Sequence, residues 1–250
     1  MAEIKIRPAF AADAPLIAQA VAMAFGEECA ALLCGNEYLK VLELVAAAEG
    51  TQYSYRNALV AEVDGVAAGA VVGYDGAELE ILREGTVSVV GKMNPSFVLP
   101  EDETRAGEFY IDSLGVLPQF RGCGVGKCLL MAMAGKGFVH GCSKVGLIVY
   151  FEDSGAAEFY YGCGFHPAGE KLFYGHKMRH LQCAHLPAVE KIQYTGLNYP
   201  MVQEFCGDKI LAPYICMGFS MLSLLGPDGF ISVNEGDTIC KDGVGNFWVE

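Results

Sequence analysis

The chain has 250 residues, room for one large domain or one with an appendage, and 52% are hydrophobic, ample for a core. Its formal net charge of -13 argues against nucleic acid and anionic membrane surfaces as partners. No run approaches the ~20 uninterrupted apolar residues of a membrane-spanning helix, which argues against a membrane protein.

Ile4-Lys5-Ile6-Arg7 alternates and reads as an opening strand. The residues before and through it contain no apolar signal segment, so a cytoplasmic location is expected. Asp13 reads as a helix cap with Pro15 in the first turn, and Leu16, Ile17, Ala20, Val21, Ala24 and Phe25 mark one helical face. A second helix is predicted over Glu37 to Ala48, ended by Gly50. Ala58 to Glu62 and Val66 to Tyr74 read as strands joined at Asp64-Gly65. Asp75 to Val90 reads as partly helical. Residues 91–107 then form a loop with Asn94-Pro95, Pro100 and an acidic run, placed where it could cover a site. Acids at Glu78, Glu80, Glu101, Asp102, Glu103 and Glu108 mildly favour a cationic ligand, and read equally well as solvated loop charge. Ten cysteines with no CxxC pair, in a chain this long, read as reduced and mostly buried thiols.

The stretch from Glu108 to Gly135 organises the chain. Phe109 to Val116 suits a buried strand; Arg121-Gly122-Cys123-Gly124-Val125-Gly126-Lys127 follows, and an apolar helix begins at Cys128. Glycines let backbone N–H groups converge, and the free N–H groups at the helix start carry partial positive charge. Arg121 and Lys127 add full charges, so the ligand of this turn is a phosphate or pyrophosphate. A Walker A loop is excluded because Cys128 follows Gly126-Lys127 and Arg121 stands five before Gly126. A dinucleotide fingerprint fails because Gly124-x-Gly126 continues into Lys127, Cys128 and Leu129.

What fits is R-x-x-G-x-G, as Arg121, Gly124 and Gly126, after a strand ending in Leu114-Gly115-Val116. This resembles the acyl-CoA signature of the GNAT N-acetyltransferase superfamily. Val145 to Tyr150 reads as another buried strand, and Asp153 to Gly162 as a short helix closed by Cys163-Gly164-Phe165. The family pattern Asn-x-x-Ala, Tyr, Gly-Phe is matched by Ala156, Tyr160, Gly164 and Phe165, with Asp153 where Asn is usual. Taken alone, Tyr160 would read as a core aromatic. The phrase from Ile6 to Phe25 also resembles the family's first strand and helix.

The resemblance covers about residues 1–182 and implies an α/β (α+β) fold, a mixed and mostly antiparallel central sheet flanked by helices. It implies acetyl-CoA as co-substrate and transfer of acetyl to a primary amine, on a small molecule or a peptide, by direct attack in a ternary complex. Leu114, Gly115 and Val116 would offer backbone groups to the pantetheine, and an N–H near Leu114 would polarise the thioester carbonyl. Residues Gly122, Cys123, Gly124, Val125, Gly126 and Lys127, with Arg121, would hold the pyrophosphate. Asp153 would lie at the cofactor, and Tyr160 would protonate the leaving thiolate. The base is read as Glu108 or Asp112, with Glu108 favoured; in a regular strand both share a face with Tyr110. A covalent route through Cys123 or Cys163 has nothing nearby in sequence to activate the thiol. The acceptor pocket is expected from the first two helices and the 91–107 loop. Dimers are common in the family, so the resemblance admits a homodimer.

After Gly164-Phe165, Lys171 to Leu181 reads as a last strand. His176, His180, Cys183 and His185 lie close in sequence but match no known ligand spacing, so no metal is expected. The acetyltransferase domain is assigned to 1–185 and a small α+β or β-rich appendage to 190–250. In the appendage Val202 to Phe205 reads as a helical turn, and Met221 to Leu225, Phe230 to Val233, Thr238 to Lys241 and Phe247 to Val249 as strands. Gly236-Asp237-Thr238-Ile239 weakly resembles a small phage-type domain. An alternative is therefore a non-catalytic acyl-CoA sensor or scaffold working through this segment. A toxin acting on charged transfer RNA is disfavoured by the net charge.

Overall fold

Alternating and apolar runs in the first 183 residues assemble into one seven-stranded sheet: β1 (Ile4–Pro8), β2 (Ala58–Val63), β3 (Val66–Asp75), β4 (Phe109–Val116), β5 (Val145–Tyr150), β6 (His166–Phe173) and β7 (His176–Cys183). The computed structural model describes every residue except 1–2, 187–189, 217–218, 227–228 and 243–246. These form two units, Met1–Cys183 and Ala184–Glu250. The sheet order is β1-β2-β3-β4-β5-β7-β6. Every neighbouring pair is antiparallel except β4 with β5. This is the mixed, mostly antiparallel sheet expected from the sequence.

The helices of this unit are α1 (Ala14–Phe25), α2 (Glu27–Cys34), α3 (Tyr38–Ala47), α4 (Leu79–Met93), α5 (Val125–His140) and α6 (Ser154–Tyr161). The short α2 was not foreseen, although Gly26 and Gly35 bracket it at φ 77° and Glu27 and Glu28 suit its first turn. Asp13 does not cap α1 through its side chain. Its carboxylate is taken by the Arg7 guanidinium at 2.7 and 2.9 Å and by the Phe10 N–H at 2.8 Å. No single helix among the described residues is long and apolar enough to cross a membrane; α1 with the 3₁₀ turn before it and α2 pass that test as a pair, but bend by 117° and bury one face in the core.

The sheet is covered on both faces. A Cβ on Gly115 of β4 would meet the Ala20 backbone of α1 at 2.5 Å, whereas Val116 turns towards Gly126 of α5. Adjacent strand residues point to opposite faces, so α1 and α5 lie on opposite sides. Phe109 also faces α5, filling the space that a Cβ on Gly137 would invade at 2.6 Å. Phe109 and Val116 are seven residues apart, an odd number, yet share a face. A β-bulge explains this: Val72 pairs with Ser113 and Gly73 with Ile111, leaving Asp112 as an extra residue in β4. The regular strand assumed for Glu108, Tyr110 and Asp112 is therefore broken at Asp112.

The single last strand predicted over Lys171–Leu181 is two, β6 and β7. They meet at Tyr174-Gly175, which turns with φ of 50° and 76°. Asp64-Gly65 makes the same kind of turn between β2 and β3, at 49° and 81°.

The second unit holds β8 (Glu190–Gln193), α7 (Tyr199–Cys206), β9 (Ile210–Cys216), β10 (Phe219–Gly226), β11 (Gly229–Asn234), β12 (Thr238–Lys241) and β13 (Phe247–Val249). They form two three-stranded sheets, β11-β10-β9 and β13-β12-β8. Tyr194, Val202, Leu222, Leu224, Val233 and Ile239 are fully buried in its core. The four foreseen strands are present, and the predicted helical turn is the eight-residue α7. β8 and β9 were missed. Pro213 speaks against a strand, but it falls in an irregularity of an edge strand, where no ladder bond is lost. The Gly-Pro-Asp-Gly punctuation at 226–229 lies partly outside the described residues.

Candidate active site

β4 and β5 pair only at Phe109 with Val145 and Tyr110 with Gly146. Past that point they diverge, and the β5-facing edge of β4 from Ile111 onward has no strand beside it. A cavity of about 180 Å³ occupies the opening. The end of α1 lines it through Met23 and Phe25, β4 through Asp112 and Leu114, and α6 through Tyr160. Glu103 reaches it from the loop after α4.

Of the predicted cofactor residues, the structure gathers those after β4 into one turn. Gly122 and Gly124 adopt φ of 77° and 88°, conformations that cost other residues energy. Gly124 caps α5, and Cys128 N–H bonds its carbonyl at 3.0 Å, which leaves the N–H groups of the first turn, Val125, Gly126 and Lys127, without intrahelical partners. The exposed Arg121 folds back over the strand end, donating from Nε to the Val116 carbonyl at 3.0 Å. Cys123 is exposed and Gly115 is the packing contact for α1.

Tyr160 stands on α6 against Phe159 and Phe165. Burial pushes its hydroxyl up to about 12, with the Asp153 charge adding to the shift. It is therefore protonated at neutral pH. Asp153 caps α6, accepting from Ala156 N–H at 2.8 Å. Aspartate caps a helix as well as asparagine does, so its departure from the family pattern leaves the helix start intact.

Asp112 and Glu103 face the cavity within one polar network. Tyr74 Oη donates to Asp112 at 2.8 Å and Ser113 Oγ donates to its other oxygen at 2.8 Å. Gln52 Nε2 donates to Tyr74 Oη at 3.2 Å and to Glu103 at 3.3 Å. Arg83 of α4 donates to Glu103 at 2.8 Å and also pairs with the exposed Asp102. Burial pushes Asp112 up to about 6, against the pull of its hydrogen bonds. Burial and then the Asp112 charge push Glu103 up to about 7, against the pull of Arg83. Glu103 was read among several acids that suit either a cationic ligand or solvated loop charge; at 2% exposure it is among the most buried charges here. Nothing local marks it, because Gln52, Tyr74 and Arg83 come from three distant segments.

Glu108, the favoured base, is not in this cavity. It sits before β4, where it accepts from Thr104 at 2.9 Å and Gln182 at 2.6 Å and meets His180 Nε2 at 3.0 Å. Burial raises its carboxyl, but these partners outweigh that and hold it below the ordinary range. All three of these partners belong to the fold around the start of β4. His180 is thus engaged, and the exposed His176 packs against Tyr150. In the second unit His185 stacks on Trp248 at 3.7 Å. Among the described residues no three potential ligands converge on a metal position.

A family model described as the acetyltransferase (GNAT) family matches residues 42–165. One solved structure described as an acetyltransferase is 28% identical with a TM-score of 0.61, the match covering 72% of this chain and 98% of that one. An N-acetyltransferase from Staphylococcus aureus Mu50 is 22% identical with a TM-score of 0.62, covering 71% of this chain and 99% of that one, a likeness of fold. No curated protein matches the chain significantly. The matched segment, 42–165, contains the split strands, the glycine turn and Tyr160, and the family it resembles is one of acyl-CoA-dependent acetyl transfer.

Proposed function

We propose that the chain transfers acetyl from acetyl-CoA to a primary amine by direct attack in a ternary complex. One observation carries this reading. The β4–β5 opening brings an unpaired strand edge, a protonated Tyr160 and the carboxylates Asp112 and Glu103 to one cavity beside the glycine turn.

On this reading Arg121, Lys127 and the first-turn N–H groups of α5 bind the pyrophosphate. The edge of β4 at Leu114 and Val116 aligns the pantetheine, and an N–H near Leu114 stabilises negative charge growing on the thioester oxygen. Asp112, rather than Glu108, takes the proton from the acceptor, because it faces the cavity and its raised pKa suits a base near neutral pH. Tyr160 gives its proton to the leaving thiolate and recovers one from solvent.

Calorimetric titration with acetyl-CoA, CoA, ATP and NAD tests the binding half. Acetyl-CoA and CoA should bind alone, and Arg121→Ala should weaken them by about tenfold, the worth of one charge-assisted contact. Tyr160→Phe should lower turnover about a hundredfold, the lower range for a general acid, while CoA affinity stays within about threefold. Absence of acetyl-CoA binding would end the proposal. Binding without turnover across an amine screen would leave the sensor in its place.

A further inference from the structure

We propose that the cavity selects a compact primary amine carrying no anionic group, held as its ammonium by Asp112 and Glu103. This deepens the acetyl-transfer reading and rests on it.

The charge balance of the cavity comes first. Three carboxylates line it: Asp153 is engaged as the cap of α6, and among the described residues the only cation hydrogen-bonded to Asp112 or Glu103 is Arg83. Arg83 is shared with Asp102, and it reaches Glu103 rather than Asp112. Asp112 is met by two neutral donors, Tyr74 and Ser113. Gln52 and Tyr74 link the carboxylates, but an amide cannot relay a proton, so the two acids communicate through charge alone. With Asp112 ionised the site carries a negative charge that meets no cation in direct contact, and Arg83 acts on it only from a distance. A ligand cation is the missing partner.

The walls set the rest. Phe25, Leu147, Phe173 and Met178 line the same cavity and suit a methylene chain. At about 180 Å³, shared with the thioester end of the cofactor, the space falls below the ~300–1,000 Å³ of pockets for drug-sized ligands. A few carbons fit beyond the reacting nitrogen. A distal carboxylate would sit against Asp112 and Glu103 or unpaired against apolar walls, and either placement is penalised.

The chemistry balances. The ammonium gives one proton to Asp112, its freed lone pair forms the N–C bond to the thioester carbonyl carbon, and the C–S bond breaks. Tyr160 protonates the thiolate sulfur and is restored by one proton from solvent, while the second nitrogen proton and the proton held by Asp112 leave to solvent. The net products are the amide, free CoA thiol and one released proton.

The test compares n-pentylamine with 5-aminopentanoate, equal in chain length and differing in the distal carboxylate, by thiol release from acetyl-CoA with the full chain. The kcat/KM for pentylamine should exceed that for the amino acid by at least about a hundredfold, roughly 2.7 kcal/mol of discrimination. Glu103→Gln should shrink that ratio at least tenfold; a ratio is insensitive to the fraction of protein folded. A wild-type ratio near one overturns the proposal without any variant, as does turnover of neither amine by protein that binds acetyl-CoA. An unchanged ratio in Glu103→Gln also overturns it. Failure to bind acetyl-CoA overturns the transfer reading itself, and this inference with it.

Discussion

Replacing Asp112 with asparagine should stabilise the protein while abolishing its proposed activity. The carboxyl rises from its ordinary 3.8 to about 6 on folding, which costs the ionised folded state about 3 kcal/mol at 1.36 kcal/mol per tenfold. The sign follows from proton binding: the folded chain holds this proton more tightly than the unfolded chain. The cost is therefore complete above pH 6, has fallen to about 1 kcal/mol by pH 4.5, and vanishes below pH 3.8. Asparagine removes the charge, but its amide turns an N–H₂ towards either Tyr74 Oη or Ser113 Oγ, a lost hydrogen bond worth about 1 kcal/mol at any pH. The net gain is about 2 kcal/mol at pH 7.5 and close to zero at pH 4.5. For a unit of this size that corresponds to a rise in Tm of about 4–8 °C at pH 7.5. Scanning calorimetry of both proteins at the two pH values reads the difference. A lower Tm for Asp112→Asn at pH 7.5, or an equal shift at both pH values, would refute the reasoning, since either outcome means that burial does not strain this carboxylate.

Glu108 should behave in the opposite way. Its folded pKa is lowered, so the stability it contributes is present above its unfolded pKa and is lost on acidification. Glu108→Gln should cost about 2 kcal/mol at pH 7 through its hydrogen bonds to His180, Gln182 and Thr104, and leave the acid limb of the kcat/KM profile unmoved; a displaced limb would return Glu108 to the chemistry. Gly137→Ala should destabilise by about 1–3 kcal/mol, the usual cost of overpacking, because its new Cβ would lie 2.6 Å from the Phe109 ring. Chemical denaturation measures this, and an unchanged midpoint would mean that Phe109 has somewhere else to go.

The sequence is most readable where one local feature decides the outcome. Arg121, Gly124 and Gly126 announce the turn because glycine spacing and a following apolar helix are properties of neighbouring residues. Asp64-Gly65 announces its hairpin for the same reason. Tyr174-Gly175 does not, because a tyrosine at positive φ is rare and the flanking strands look like one. The site is less readable than the fold. Tyr160 and Asp112 are visible within their motifs, but which acid faces the cavity depends on partners 38 to 74 residues away, as Tyr74 is to Asp112 and Gln182 to Glu108. Glu103 looks like its solvated neighbour Asp102, and Arg83 pairs with both; what separates them is that Glu103 turns inward to Gln52 and is buried.

The bulge at Asp112 has a consequence for chain length. Because one extra residue resets the pleat, Gly115 presents its bare face to Ala20 of α1 while Val116 turns to α5. Deleting Asp112 would restore an even ladder, keep the pairs from Val72 with Ser113 onward, and leave Phe109 and Val116 on their common face, now six residues apart. Deleting Leu114 would instead put Val116 where Gly115 stands, against the α1 backbone, at a place where even a single methyl carbon has only 2.5 Å. The strand should therefore tolerate the loss of a residue at the bulge and not after it. The number of residues from Ser113 to Val116 is thereby a dimension of the machine, as fixed as a bond length.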